Sequence, residues 1–142
     1  MRVKATADHA VIASLVLACF PSDVATFDPT WDGMWVGYED KLAVGFACAS
    51  MQKTEAGVVY AKHELAGVTH PYRGGGRQRQ LIKTRERWAT DNGAEWIETY
   101  VVPWNAPSLC NLLKTGYRIV APYADEEYAV INLKKTLPSP KD

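Results

Sequence analysis

One mixed α/β domain, with elements in the order β-α-β-β-β-α-β-α-β-β, is the fold that this sequence predicts. Three observations predict it. Alternating stretches rich in β-branched and aromatic residues are interleaved with segments whose apolar residues recur at helical spacing. One extended run, Val58 to Val68, passes through His70-Pro71 and three consecutive glycines straight into a helical pattern that stops at Asn92-Gly93. The chain has 142 residues, 47% of them hydrophobic and 23% charged, which suits one soluble core and is too short for two ordinary ones.

Each element has its own signal. Val3 to Ala5 reads as a short strand, and Asp8 can cap a helix running to about Phe20 with Ile12, Leu15, Val16, Cys19 and Phe20 as its apolar stripe. Pro21-Ser22-Asp23 stops that helix, and residues 21–33 read as an irregular stretch carrying Phe27, Pro29 and Trp31. Met34 to Tyr38 and Leu42 to Met51 form a hairpin about Glu39-Asp40-Lys41, and Thr54-Glu55-Ala56-Gly57 turns into the strand Val58 to Val68. In the helix after the glycines, Leu81, Ile82, Arg85, Trp88 and Ala89 share the helical period. Glu95 to Val102 is another strand, and Pro103-Trp104-Asn105 starts a short helix to Lys114, ended by Gly116. Tyr117 to Ala121 and Tyr128 to Leu133 close the chain as a hairpin around Asp125-Glu126-Glu127. Residues 1–136 are expected to form the domain, and residues 137–142 a disordered tail.

Sixteen basic residues balance sixteen acidic ones, which argues against a general nucleic-acid binder. Cys19, Cys48 and Cys110 are odd in number and widely spaced, matching neither a disulfide framework nor a metal site. They read as reduced, mostly buried thiols in a cytoplasmic protein. The start of the chain loosely imitates a lipoprotein signal, but Asp8 and His9 stand just ahead of its short apolar run and Leu17 sits where such signals carry a smaller residue. No stretch is long enough to span a membrane.

The chemistry concentrates at the glycines. Gly74, Gly75 and Gly76 lack a Cβ, so the backbone can turn sharply and come close to a bound group. They open a helix whose first amides lack intrahelical partners and carry the positive end of the dipole. Arg73 and Arg77 flank that place, which suits a phosphate or pyrophosphate. No Gly-Lys-Ser/Thr follows, which excludes the Walker loop, and the Rossmann spacing is absent too.

Taken together, Val68, Arg73-Gly74-Gly75-Gly76-Arg77-Gln78, Leu81-Ile82, Trp88-Ala89 and Gly93-Ala94 resemble motif A of the GNAT superfamily of acyl-CoA-dependent N-acyltransferases, which reads Arg/Gln-x-x-Gly-x-Gly/Ala at its pyrophosphate loop. Arg73 and Gly76 match, and Gln78 replaces the usual small residue. The element order is similar to the GNAT order over nearly the whole chain, with the family's second helix reduced to the irregular stretch, β-α-(α)-β-β-β-α-β-α-β-β. Asn105 to Tyr117 partly resembles the family's Asn-x-x-Ala-x-x-x-Tyr-x-x-x-Gly-Phe/Tyr segment through Asn105, Gly116 and Tyr117. Leu112 stands where many members place the tyrosine that protonates the departing thiolate.

The resemblance implies an N-acetyltransferase that moves an acetyl group from acetyl-CoA to a small-molecule or peptide amine by direct attack, with no metal. It implies that Leu65 to Val68, with Ala66 and Val68 among them, pair with the pantetheine arm. Arg73, Gly74, Gly75, Gly76, Arg77 and Gln78 would hold the pyrophosphate, and Asn105 would reach the arm unless it is simply a helix cap. Glu64 occupies a position where several members carry a carboxylate, so it is the candidate base; His63 and Tyr60 are alternatives on the same strand. Ser108 is the candidate acid, with a core role for Tyr117 and a solvent proton both open. Trp31 and Trp35 are expected as walls of an acceptor pocket drawn from residues 21–35, where Asp23, Asp28 and Asp32, with the Asp125-Glu126-Glu127 turn, would favour a cation.

Two other functions stay open: an acyl-CoA-binding GNAT-fold protein that has lost transfer, and a nucleic-acid module using Arg73, Arg77, Arg79, Lys83, Arg85 and Arg87. Monomer and homodimer are not distinguished.

Overall fold

A computed structural model describes residues 1–20, 27–124 and 129–138, and the described residues form seven strands and three α-helices. The strands are β1 (Arg2–Ala5), β2 (Gly33–Glu39), β3 (Leu42–Lys53), β4 (Val59–Val68), β5 (Trp96–Val101), β6 (Arg118–Ala124) and β7 (Ala129–Thr136). The helices are α1 (His9–Cys19), α2 (Arg77–Asp91) and α3 (Ala106–Lys114). The strands are hydrogen-bonded into one mixed sheet in the order β1-β2-β3-β4-β5-β7-β6. The expected order and class are therefore observed. The described part of the irregular stretch, residues 27–32, forms a turn; the stop at residues 21–23 and the acidic turn at 125–127 lie outside the described residues.

The chain divides into two compact units, Met1–Ser50 with Glu64–Arg85 and Met51–His63 with Glu86–Asp142, and their boundary runs through β3, β4 and α2.

In the first unit, β1, β2 and β3 pair antiparallel, and Asp40 takes a φ of 52° in the β2–β3 turn, a left-handed conformation that aspartate tolerates. Asp8 caps α1 by accepting from the amides of Ala10 and Val11. Ile12, Leu15, Val16 and Cys19 of α1 pack on Met34 and Val36 of β2 and on Phe46 and Cys48 of β3. Each such large side chain, fully buried, contributes about 1.5–3 kcal/mol.

Gly67 of β4 makes this seat possible. A Cβ there would stand 3.0 Å from both Cβ and Sγ of Cys19 and 3.1 Å from Cε1 of Phe46. Gly67→Ala is expected to lower stability by about 1–3 kcal/mol, because α1 must shift to admit the methyl. Equilibrium urea unfolding checks this.

β4 does not keep a strict period of two. Ala61 and His63 are buried at odd positions, yet Val68 is buried at an even one. Glu64 bonds Ser50, which shares a face of β3 with Phe46 and Cys48, while the next residue, Leu65, packs against the α1 cluster on that same face. Two successive residues facing one side require an irregularity in the strand at Glu64–Leu65.

In the second unit, β4 and β5 run parallel at Ala61↔Ile97 and Lys62↔Glu98. β7 pairs antiparallel with both β5 and β6, and so lies between them. Asn105 caps α3 through the amide of Ser108, and Gly116 closes it with a φ of 96°. Ile97, Val101, Leu112, Tyr117 and Leu133 are buried. Leu137 departs from the expected tail. It is buried, and its amide donates to the carbonyl of Glu95 at 2.9 Å, so the ordered chain runs past residue 136. Residues 139–142 lie outside the described residues.

The three thiols are unpaired. Cys19 and Cys48 are buried as expected, but Cys110 is exposed on α3. No helix among the described residues is long and apolar enough to cross a membrane.

Candidate active site

The glycine loop of the first unit has the geometry that three Cβ-free residues allow. Gly74, Gly75 and Gly76 take φ values of 90°, 63° and 78°, a run that L side chains rarely adopt. Open space surrounds the Cβ positions of Gly74 and Gly76, so it is the backbone and not crowding that demands glycine there. Arg77 begins α2 directly after the loop, its amide donating to Gly74 O, and the amide of Gln80 donates to Gly76 O.

Both loop arginines are engaged with the protein. Arg73 Nε donates to the carbonyl of Val68 at 3.0 Å, tying the loop back to the end of β4. Arg77 Nε donates to Glu39 Oε1 at 2.7 Å, and its Nη1 donates to the carbonyls of Tyr72 and Gly74. The Arg77 guanidinium holds the Glu39 carboxyl below the usual carboxylate range. Gln78 is half-buried at the second position of α2. Ala66 is half-buried on β4, and Val68 is buried there.

Glu64 is half-buried on β4, and its Oε2 accepts from Ser50 Oγ at 2.7 Å. That bond orients one carboxylate oxygen. Arg85 of α2 is buried, 4% exposed, and its Nη1 donates to the carbonyls of Cys48 and Glu64, both at 3.3 Å. Thus a buried cation holds the β4 backbone at the residue where the strand loses its period. Burial pushes the Cys48 thiol up to about 12, against the opposing charge of Arg85 and with that of Glu64, which leaves it protonated and inert at neutral pH.

In the second unit, His63 is buried and its Nε2 lies 2.6 Å from Tyr117 Oη, which donates to Glu86 Oε2 at 2.7 Å. Lys135 Nζ donates to the same carboxylate and to the carbonyl of Thr115. Both His63 and Tyr117 are thereby spent in an internal network. Tyr60 stacks on Trp96 with centroids 5.0 Å apart, and Lys134 Nζ sits 4.2 Å over that indole. Asn105 is exposed and uses Oδ1 as the α3 cap; Ser108 is half-buried one turn before the buried Leu112.

One expectation is corrected. Trp31 and Trp35 are not two walls of one pocket. Trp31 packs with Phe27 against the α1 cluster, whereas Trp35 alternates with Met34 and Val36 and so is buried on the opposite face of β2. On α2, Arg85 is buried and Arg77 is paired with Glu39, while Arg79, Lys83 and Arg87 are exposed at a spacing of four residues. Of the acidic residues expected to favour a cation, Asp28 accepts from the amide and hydroxyl of Thr30 and Asp32 is exposed, while Asp23 and residues 125–127 lie outside the described residues. Sequence reasoning missed Glu39 and Ser50 as partners and read Arg85 as a helix position or a nucleic-acid contact, not as a buried tie to the backbone.

No family model matches the sequence, and no curated protein matches it. Solved structures do. Naa50 of Arabidopsis thaliana, in complex with the bisubstrate analogue CoA-Ac-MVNAL, superposes with a TM-score of 0.77 at 19% identity over 96% of this chain and 98% of that one. A GNAT family acetyltransferase from Elizabethkingia anophelis with acetyl-CoA bound gives 0.77 at 16% identity, covering 96% and 97%. The IAA acetyltransferase of Bacillus cereus gives 0.76 at 17% identity, covering 96% and 99%. The fold is that of the GNAT acetyltransferases.

Proposed function

We propose that the chain up to and including Leu137 forms a single N-acetyltransferase domain that moves an acetyl group from acetyl-CoA to an amine, by direct attack and in the cytoplasm. The observation that carries this is the sequence of β4, three positive-φ glycines and the start of α2 in a GNAT fold. The residues fit the cosubstrate: a loop without Cβ atoms ahead of a long helix suits a pyrophosphate held by backbone amides. Three unpaired cysteines are in keeping with a reducing compartment.

In this reading the backbone amides of Gly74 to Gln78 hold the pyrophosphate, with Arg73 fastening the loop to Val68. Leu65 to Val68, Ala66 included, pair with the pantetheine arm along β4, whose broken period frees backbone groups for a ligand. The cosubstrate supplies an activated thioester, and an amide near Val68 polarises its carbonyl. Glu64, with Oε2 occupied by Ser50, accepts the amine proton at Oε1, directly or through water. In the second unit, Asn105 contacts the arm with its free amide donor and Ser108 or solvent protonates the leaving sulfur. The acceptor is a small amine or a peptide; the peptide-like analogue held by Naa50 supports the latter. Leu112, buried where many members carry an acidic tyrosine, favours a second reading in which the protein binds acyl-CoA without transfer.

Titration calorimetry with acetyl-CoA tests the shared part. Binding is expected, and folded protein that shows none at millimolar ligand overturns the reading. Gly76→Val should weaken binding by about tenfold or more while leaving circular dichroism unchanged, because a β-branched residue at a φ of 78° is strained by about 1–3 kcal/mol. Turnover across an amine panel separates the enzyme from the silent binder.

A further inference from the structure

We infer that Arg77 is a positioning residue that staples the glycine loop to β2 through Glu39, and that it is not a ligand of the pyrophosphate. The inference deepens the acetyl-CoA reading above and rests on it.

The guanidinium folds back over the loop. Nε meets Glu39 Oε1 at 2.7 Å, Nη1 meets Tyr72 O at 3.2 Å and Gly74 O at 3.4 Å, and the group lies 5.7 Å from the Tyr72 ring centroid. Nη1 would stand 2.9 Å from a Cβ on Gly75, so the side chain covers that glycine closely. Every partner of the fork is a carbonyl or a carboxylate, the groups that an anion avoids. The Gly74–Gly75 peptide is trans, so drawing its carbonyl to Arg77 turns its N–H to the opposite side. Arg77 therefore fixes the direction in which the loop presents an amide.

Such a loop needs fixing. Three successive glycines have more backbone freedom to lose than any other triplet, and a floppy loop must be ordered at the moment of binding. Glu39 is the anchor for that order, sitting at the end of β2 beside the two-residue turn. The amino nitrogen of Met1 also stands 3.4 Å from the same oxygen, so the Glu39–Arg77 pair must be isolated by a double-mutant cycle.

The staple and the direct ligand predict opposite signs. If Arg77 bound the pyrophosphate, Glu39 would be a carboxylate facing a polyanion, and Glu39→Ala would leave CoA affinity unchanged or raise it. As an anchor, Glu39→Ala should weaken CoA about three- to tenfold, Arg77→Gln should do the same, and the double variant should fall within about twofold of either single one. Acetyl-pantetheine, which lacks the pyrophosphate, should bind all four proteins alike. Glu39 and Arg77 are both partly exposed, so the variants are expected to fold, and thermal melting checks that. Independently of any ligand, hydrogen exchange at Arg77, whose amide donates to Gly74 O, should be at least about fivefold faster in Glu39→Ala. Unchanged or tighter CoA binding by Glu39→Ala overturns the staple, as does unchanged exchange at Arg77. Wild-type protein that binds no CoA overturns the acetyl-CoA reading instead, and the exchange measurement still decides the staple.

Discussion

Glu64→Gln is expected to lower turnover by about a hundredfold or more at neutral pH while leaving acetyl-CoA affinity nearly intact. Glutamine keeps the shape and can keep the Ser50 hydrogen bond, so the substitution removes little besides the ability to take a proton. The loss should shrink as pH rises, since a growing share of the acceptor amine then arrives deprotonated and needs no base. Ser50→Ala should give a smaller fall in the same direction, because the carboxylate survives and only its orientation is loosened. Steady-state kinetics across pH, once an acceptor is found from the amine panel, measures all of this. Full activity of Glu64→Gln at every pH would move the base elsewhere, and neither alternative is well placed to inherit it. His63 is held by Tyr117 in the second unit, and Tyr60 is stacked on Trp96.

Arg85→Met should be the most damaging substitution for stability, by roughly 2–5 kcal/mol, with a fall in Tm on the order of 10 °C. Replacing a buried ion pair by apolar residues can be neutral when both partners are removed together. Here the partners include the backbone carbonyls of Cys48 and Glu64, which remain behind without that donor. Arg85→Lys should recover part of the loss, since a single ammonium cannot reproduce the fork. Thermal and chemical unfolding check the stability. Any Arg85→Lys protein that stays folded should show a reduced kcat with little change in acetyl-CoA affinity, because Glu64 sits on the backbone that Arg85 holds.

The sequence was most legible where periodicity governs. α1 and its apolar stripe, the hairpin about Asp40, the glycine-started α2 and the Asn105 cap all follow from spacing and capping chemistry, and their observed bounds lie within a few residues of those expected. What escaped depends on register between distant segments. Ser50 meets Glu64 across 14 residues, and their pairing is governed by the turn at residues 54–57 and by the irregularity in β4, neither of which alternation reveals. Glu39 and Arg77 are 38 residues apart, with no local pattern joining them. Arg85 did leave a trace: it shares the apolar period of Leu81 and Ala89, and a charge inside a buried stripe calls for a partner. Its partners include the backbone carbonyls of Cys48 and Glu64, 37 and 21 residues away, which no side-chain pattern in the sequence advertises. The two tryptophans were separable in principle, since Met34 and Val36 facing α1 send Trp35 to the other side.

The place of β7 between β5 and β6 has a consequence for how the chain is made. β5 and β6 emerge from the ribosome before the strand that joins them, so each waits with an open edge until β7 is synthesised. Local hairpin closure cannot finish this part of the sheet, and its central pairing, Trp96–Val101 with Ile131–Thr136, spans some thirty-five positions of intervening chain. Nascent or truncated chains ending before Ala129 would therefore expose two unpaired edges, one carrying the outward Ile119 and Val120, to any neighbouring polypeptide. Completion of the second unit therefore waits for β7, and a holdase acting during synthesis would find its binding surface on β5 and β6.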